Sequence, residues 1–259
     1  MPPAPAPRFE PAYAAAALFV DRALARNASL FASKRRAWAP DVLDDLCRRL
    51  ADPGGGAGTS FDQRWTRQLD GAPPATLHLA AELLYVHVVF ATDLRAATKR
   101  RLVGETLARS PSAPALPPVL DAALEGGIAG TGVAYKARRQ SQLQLLADAA
   151  RAWKRLPAAQ RRGLLTQPRH FKAWLFSVPH RGAYAQREAL LHLVHPAAFE
   201  PIVSPRVKER IVAAFSRDVP AGVDDVDDAL AAIRAALERR HGAAFRFDDP
   251  GVAARWRPQ

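Results

Sequence analysis

The sequence predicts an all-α fold carrying at most a trace of β structure. Apolar residues recur with the 3.6-residue period of helices in segment after segment. Prolines and glycines fall at the starts and ends of those segments. Alternating apolar runs of the kind that make half-buried strands are almost missing; Phe245-Arg-Phe247 is the one short piece that could extend.

Met1 to Arg8 alternates proline with alanine, which predicts a loose tail and lacks the basic-then-apolar order of a secretory signal. Pro11 to Ala25 reads as the first helix, with Pro11 suited to a first turn and Leu18, Phe19 and Leu24 available for burial. Pro40 to Ala51 is the second, opened by Pro40 and Asp41. It carries the single cysteine, Cys47, which excludes an internal disulfide framework and predicts a small buried hydrophobe. The run Gly54 to Ser60 reads as a linker, because no Lys-Ser/Thr pair follows its last glycine as a phosphate loop requires. Ala75 to Arg109 is expected to be the longest helix, apolar on nearly every side as far as Phe90 and so central to the fold. Its most apolar part, Thr76 to Thr92, is shorter than the roughly 20 residues of a bilayer span. With no span and no signal, a cytoplasmic protein is expected.

Four prolines between Ser110 and Pro118 place a linker there. The expected organisation is a disordered tail over 1–10, an N-terminal helical subdomain over 11–109, the proline-rich linker 110–118 and a basic helical subdomain over 119–259. Within the last, Val119 to Leu124 forms a short helix and Gly126 to Gly132 a turn. Arg138 to Leu156 is amphipathic, with Leu143, Leu146, Ala150 and Trp153 on one face. Pro157 to Leu165, Pro168 to Phe176, Tyr184 to Val194, Val203 to Phe215 and Asp224 to His241 follow as helices.

Net charge is +12, and its distribution matters more than its size. Gly130 to Arg187 holds twelve basic side chains and a single acid, Asp148. Such one-sided charge predicts a surface for a polyanion. The candidate nucleic-acid contacts are Tyr135, Lys136, Arg138, Arg139, Arg151, Lys154, Arg155, Arg161, Arg162 and Lys172, with Arg138, Arg139, Arg161 and Arg162 carrying most weight. Tyr135, Trp153, Phe171, Trp174, Phe176 and Tyr184 interleave with these charges, and aromatic faces can stack on unpaired bases. Trp153 and Trp174 fall on core-facing positions, which leaves Tyr135 as the favoured aromatic contact. The solvated helix face remains the plain alternative for every one of these charges.

Chemistry-bearing spacings are few. His192 and His195 share a helix face, but Pro196 follows and no ligand set is completed, so both are expected to be structural. Asp224, Asp225, Asp227 and Asp228 sit where a helix N-terminus wants negative charge. No Walker motif, nucleophile elbow or acid cluster is visible, so neither a cofactor, a metal nor an enzymatic centre is expected.

Gln186 to Ser204, continuing through Lys208 to Phe215, resembles the region ahead of the motor domain in McrB-like AAA ATPases and GTPases of restriction and anti-phage systems. Asp225 to Gly242 and Phe247 to Trp256 resemble the helix and turn that lead into that motor, and Gly130 to Lys136 with Leu143, Leu146 and Trp153 is similar too. Together these cover roughly Gly126 to Trp256. Family members continue into a Walker-type ATPase, whereas this chain stops at Gln259, as an isolated N-terminal portion or a shortened relative acting in trans. The resemblance implies a recognition module that engages nucleic acid, with DNA favoured, and a separate AAA motor or nuclease as partner. An adaptor that docks on a motor, nuclease or effector is the alternative; no membrane partner is expected.

Overall fold

Proline has no amide hydrogen to lose in a first helical turn, and in the computed structural model of the chain seven helices begin that way. The structure describes residues 7–52, 56, 58–241 and 245–257. Met1 to Ala6 of the expected tail, Pro53 to Gly55 and Ala57 of the glycine-rich linker, Gly242 and Gln259 lie outside the described residues. The order is α1 (Glu10–Leu18, continued by a π-helical turn, Phe19–Ala25), α2 (Pro40–Ala51), α3 (Phe61–Gln68), α4 (Pro74–Val89), α5 (Ala96–Leu107), α6 (Pro118–Ala123) and α7 (Gly132–Ala137). Then come α8 (Arg139–Arg155), α9 (Ala158–Thr166), α10 (Pro168–Ser177), α11 (Tyr184–Val194), α12 (Pro205–Ala214), α13 (Val226–His241) and α14 (Pro250–Ala253). The described residues contain no strand, only two isolated bridges, Ala28 with Arg36 and Ala91 with Ala129. The fold is all-α. Phe245 and Phe247 do not extend into a strand; they flank the Arg234 guanidinium at 4.7 and 5.5 Å.

The segment expected to be one long helix is two. α4 ends at Val89 because the next carbonyls and amides bond across the chain. Phe90 O accepts from the amides of Ile128 and Ala129, and Thr92 N donates to Ala129 O at 2.9 Å. The glycine cluster makes this approach possible: a Cβ on Gly127 would stand 2.6 Å from the Ala91 carbonyl. α3 was not expected, although Ser60 and Gln63 complete a capping box at its start.

α4 is buried on every side, from Thr76 to Val89, and forms the axis of the core. α2, α5 and α8 pack around it, α6 lies on α1, and α8 lies on α2. The hydrophobic core therefore runs across the proline-rich segment 110–118. Side chains from Ala12 to Val203 form one cluster, with Leu120, Leu143 and Trp153 packed among the residues of α1, α2 and α4. The division in apolar packing comes later. Ile211, Phe215, Leu230, Ile233, Leu237 and Phe247 make a second cluster from α12, α13 and the segment beyond them. This C-terminal unit is fastened to the main core by charge: Lys208 to Glu188 and Asp227, Lys172 to Asp225 and Asp227, Arg169 to Asp228, and Arg234 to Glu200.

Candidate nucleic-acid interface

Each basic residue singled out in the sequence has a definite place, and most of them are not free. Lys136 Nζ is 2.9 Å from Asp93 Oδ2. Asp93 also accepts from Thr131 N, Thr131 Oγ1 and Gly132 N, at 3.0, 2.8 and 3.0 Å. Partial burial works against the ionised carboxylate, but these donors outweigh it and hold its pKa at about 2. Arg151 pairs with Asp148, and Arg155 reaches Asp44 at 3.0 Å. Lys172 pairs with Asp225 and Asp227; burial pulls its pKa down, and the two carboxylates more than reverse that.

Lys154 donates its ammonium to the carbonyls of Ala23, Leu24 and Arg26, closing the end of the π-helical turn. Burial, with a contribution from Arg161, lowers its pKa to about 7. A lysine whose ammonium is already bound to three carbonyls is a poor phosphate contact. Arg139 lies over the Phe61 ring, 4.8 Å from its centroid, and burial lowers its pKa as well.

Tyr135 is the clearest correction. It is 1% exposed, stacked on His87 at 4.4 Å, and its hydroxyl donates towards His87 O and Gln186 Oε1. The backbone contact made by Gly127 sets α7 against α4 and α11, which drives this ring inward. It cannot touch a ligand without unfolding the site. Trp153 and Trp174 are packing residues, as their periodicity predicted, and meet edge to face at 5.0 Å.

Arg138, Arg161, Arg162, Arg181 and Arg187 make no ion pair among the described residues. Arg161 and Arg162 lie on α9. Arg138 reaches the loop between α10 and α11, Arg181 is exposed in that loop, and Arg187 lies on the first turn of α11. Gly182, at φ +69°, leaves room for Arg138, because a Cβ there would stand 3.0 Å from Arg138 Nη1. The Arg187 guanidinium stacks on Phe176 at 3.6 Å and approaches Tyr184 at 5.6 Å. Its Nη1 is 3.3 Å from His180 Nε2, and His180 Nδ1 accepts from Ala183 N at 3.1 Å. Burial, then Arg187, lowers the His180 pKa.

Phe176 and Tyr184 are 39% and 52% exposed, two of only four large apolar side chains that face solvent among the described residues. The exposed aromatics of the basic region are therefore these two and not Tyr135. Their position was readable in part: Tyr184 follows the helix-breaking Pro179 to Gly182 stretch and Phe176 ends its helix, both places where a ring escapes the core.

Among the described residues no group of three or more His, Cys, Asp or Glu side chains converges on a metal-sized site. His192 bonds Tyr13 Oη at 2.9 Å and Phe199 O at 2.6 Å, and His195 bonds Leu164 O at 3.0 Å. Asp225 caps α13 by accepting from Asp227 N at 2.9 Å, and its neighbours serve Lys208 and Arg169. Cys47 is buried, and burial pushes its thiol up to about 12.

The buried histidines make an acid-sensitive fold. Burial lowers His87 to about 3 and His192 to about 4, against about 6.5 in an unfolded chain. Below that value the unfolded state binds protons that the folded state refuses, so stability is present at neutral pH and falls as pH drops from 6.5 towards 4. The expected slope is about 1.4 kcal/mol per pH unit for each ring. Urea titrations at pH 7 and pH 5 test this, and equal midpoints would overturn it.

No helix of the described residues is long and apolar enough to cross a membrane. No family model, curated protein or solved structure matches the chain.

Proposed function

We propose that this chain is a non-enzymatic, cytoplasmic recognition module of an McrB-like anti-phage or restriction system that binds nucleic acid, with DNA favoured. The observation that carries the reading is the loop between α10 and α11, where Arg138 packs against Gly182 next to exposed Arg181 and Arg187 lies beside exposed Phe176 and Tyr184, none of the three arginines in an ion pair among the described residues. Arginine without a paired acid keeps its charge for a phosphate, and its planar fork suits phosphate oxygens. The proposed interface is therefore narrower than the whole segment Gly130 to Arg187. Lys136, Arg151, Lys154, Arg155 and Lys172 hold the fold together, and Arg161 and Arg162 form at most a secondary contact.

Three phosphate contacts predict that affinity falls about 20- to 40-fold between 50 and 200 mM salt. Fluorescence anisotropy with labelled 20-nucleotide DNA and RNA at both concentrations measures that slope. The Arg138→Gln/Arg181→Gln variant is expected to lose most of the binding and most of the salt dependence, while Arg206→Gln/Arg210→Gln on α12 leaves both unchanged. Absence of binding at 50 mM salt would sink the proposal. An adaptor role towards an AAA motor, nuclease or effector draws on one further observation, the 78% exposure of Val133 on α7. Co-purification of the protein with the product of a neighbouring reading frame, retained in Val133→Asp only if Val133 is not the contact, tests it.

A further inference from the structure

We infer that this arginine-bearing loop is built for single-stranded nucleic acid, with an unpaired base stacked at Tyr184 and the flanking phosphates on Arg138 and Arg181. The inference rests on the polyanion reading above and adds to it the chemical class of the strand. A duplex presents sugars and phosphates to a protein surface and keeps its base faces stacked inside. A site for duplex backbone would therefore need only the arginines, and exposed rings would be a liability in water. Here Tyr184 leaves half of its surface in solvent, with the Arg187 guanidinium 5.6 Å from its ring. Phe176 is exposed too, and one face of it already holds Arg187 at 3.6 Å, which makes the arginine plane an extension of the aromatic platform.

The platform is also fixed in place before any ligand arrives. His180 meets Tyr184 edge to face at 4.8 Å and is itself tied by the Ala183 amide, while Phe176 lies in the last turn of α10 and Arg187 on the first turn of α11. Gly182 lets the Arg138 side chain lie against the loop, two residues before Tyr184 and next to exposed Arg181. Aromatic faces with arginines tracking the backbone are the arrangement by which proteins hold unpaired strands with little regard to sequence. Specificity for a base edge is not part of the inference, since stacking on a ring face is available to every base.

The test uses the full chain and three probes of equal length: a 12-nucleotide oligothymidylate, the same backbone with tetrahydrofuran abasic sites at alternate positions, and a 12-base-pair duplex. Oligothymidylate is expected to bind about 5- to 100-fold more tightly than the abasic strand at the same salt. Tyr184→Ala should lose a comparable factor on oligothymidylate and almost nothing on the abasic strand, and Tyr184→Phe should bind like the parent. Tyr184 is a surface residue, so thermal melting of both variants should match the parent. If abasic and base-bearing strands bind equally and Tyr184→Ala changes neither, stacking is wrong and the electrostatic reading stands. If the duplex is preferred by tenfold or more, the strand class is wrong. If no probe binds at 50 mM salt, the underlying reading fails and this inference with it.

Discussion

Replacing Lys208 with methionine is expected to lower the unfolding free energy by about 3–5 kcal/mol. Its ammonium is 2% exposed and lies 2.5 Å from Glu188 Oε2 and 2.6 Å from Asp227 Oδ1. Glu188 is on α11 and Asp227 on α13, so one lysine fastens the C-terminal unit to the main core from within. Methionine keeps the length of the side chain and removes the charge that both buried carboxylates face. Asp227 retains Lys172 at 2.7 Å, whereas Glu188 is left with none. The double variant Lys208→Met/Glu188→Leu should therefore recover a large part of the loss, because burying an unpaired charge costs more than removing the pair. Arg169, whose side chain is 81% exposed where it meets Asp228, provides the contrast: Arg169→Ala should change stability by no more than about 0.5 kcal/mol. Urea unfolding of the three variants beside the parent measures all of this. A loss below 1 kcal/mol for Lys208→Met, or a double variant no more stable than the single, would overturn the account.

That seam also explains why a local tally of charge misjudged the surface. The partners of Lys136, Arg155, Arg169 and Lys172 are Asp93, Asp44, Asp228 and Asp225, which lie 43 to 111 residues away in sequence. A window from Gly130 to Arg187 contains almost no acid, yet the fold delivers acids to it from both sides. Helices were more legible because their cause is local. Pro40 to Ala51 and Tyr184 to Val194 form with the expected bounds; Pro40 opens the first, and the signals that bound both, Asp52-Pro53-Gly54, Gly182 and Pro196, lie within a few residues of their ends. The break after α4 had only a weak cue, the end of the all-round apolar character at Phe90. It is made by hydrogen bonds between Phe90, Thr92 and the Ile128 to Ala129 backbone, which no local pattern announces. The burial of Tyr135 has the same origin, since its partners His87 and Gln186 are 48 and 51 residues distant. Of the candidate site, the residue types and the region were readable, but which arginines remain unpaired was not. Arg181 and Arg187 belong to the twelve basic residues of the segment, and only the fold lifts them above Lys154 and Lys172.

Glu82→Gln is expected to lower the melting temperature by about 5–10 °C, which corresponds to a loss of about 2–3 kcal/mol in a chain of this size. Glu82 lies on α4 with no solvent exposure. Its carboxylate accepts from Trp38 Nε1 at 2.6 Å, Phe31 N at 3.0 Å, His78 Nε2 at 2.8 Å and the Ser29 hydroxyl. Four donors converge on two oxygens, and an amide can offer only one acceptor while turning two donors of its own towards them. The loop between the π-helical turn and α2 hangs on this group, because Ser29 Oγ in turn accepts from Phe31 N and Ala32 N at 3.0 and 2.8 Å. Serine, histidine and glutamate are also the residue types of a hydrolytic relay, but their order here is different. Ser29 Oγ and Glu82 Oε1 both lie 2.8 Å from the same ring nitrogen, His78 Nε2, whereas a relay sets the acid on one nitrogen and the hydroxyl on the other. All three side chains are buried, so no substrate reaches the hydroxyl without opening the core. Ser29→Ala should accordingly destabilise the chain through the lost loop contacts and leave the nucleic-acid titration unchanged once the sample is folded. Differential scanning calorimetry of Glu82→Gln and Ser29→Ala decides the matter: a shift under 2 °C for Glu82→Gln would mean that the carboxylate is not the anchor its contacts describe.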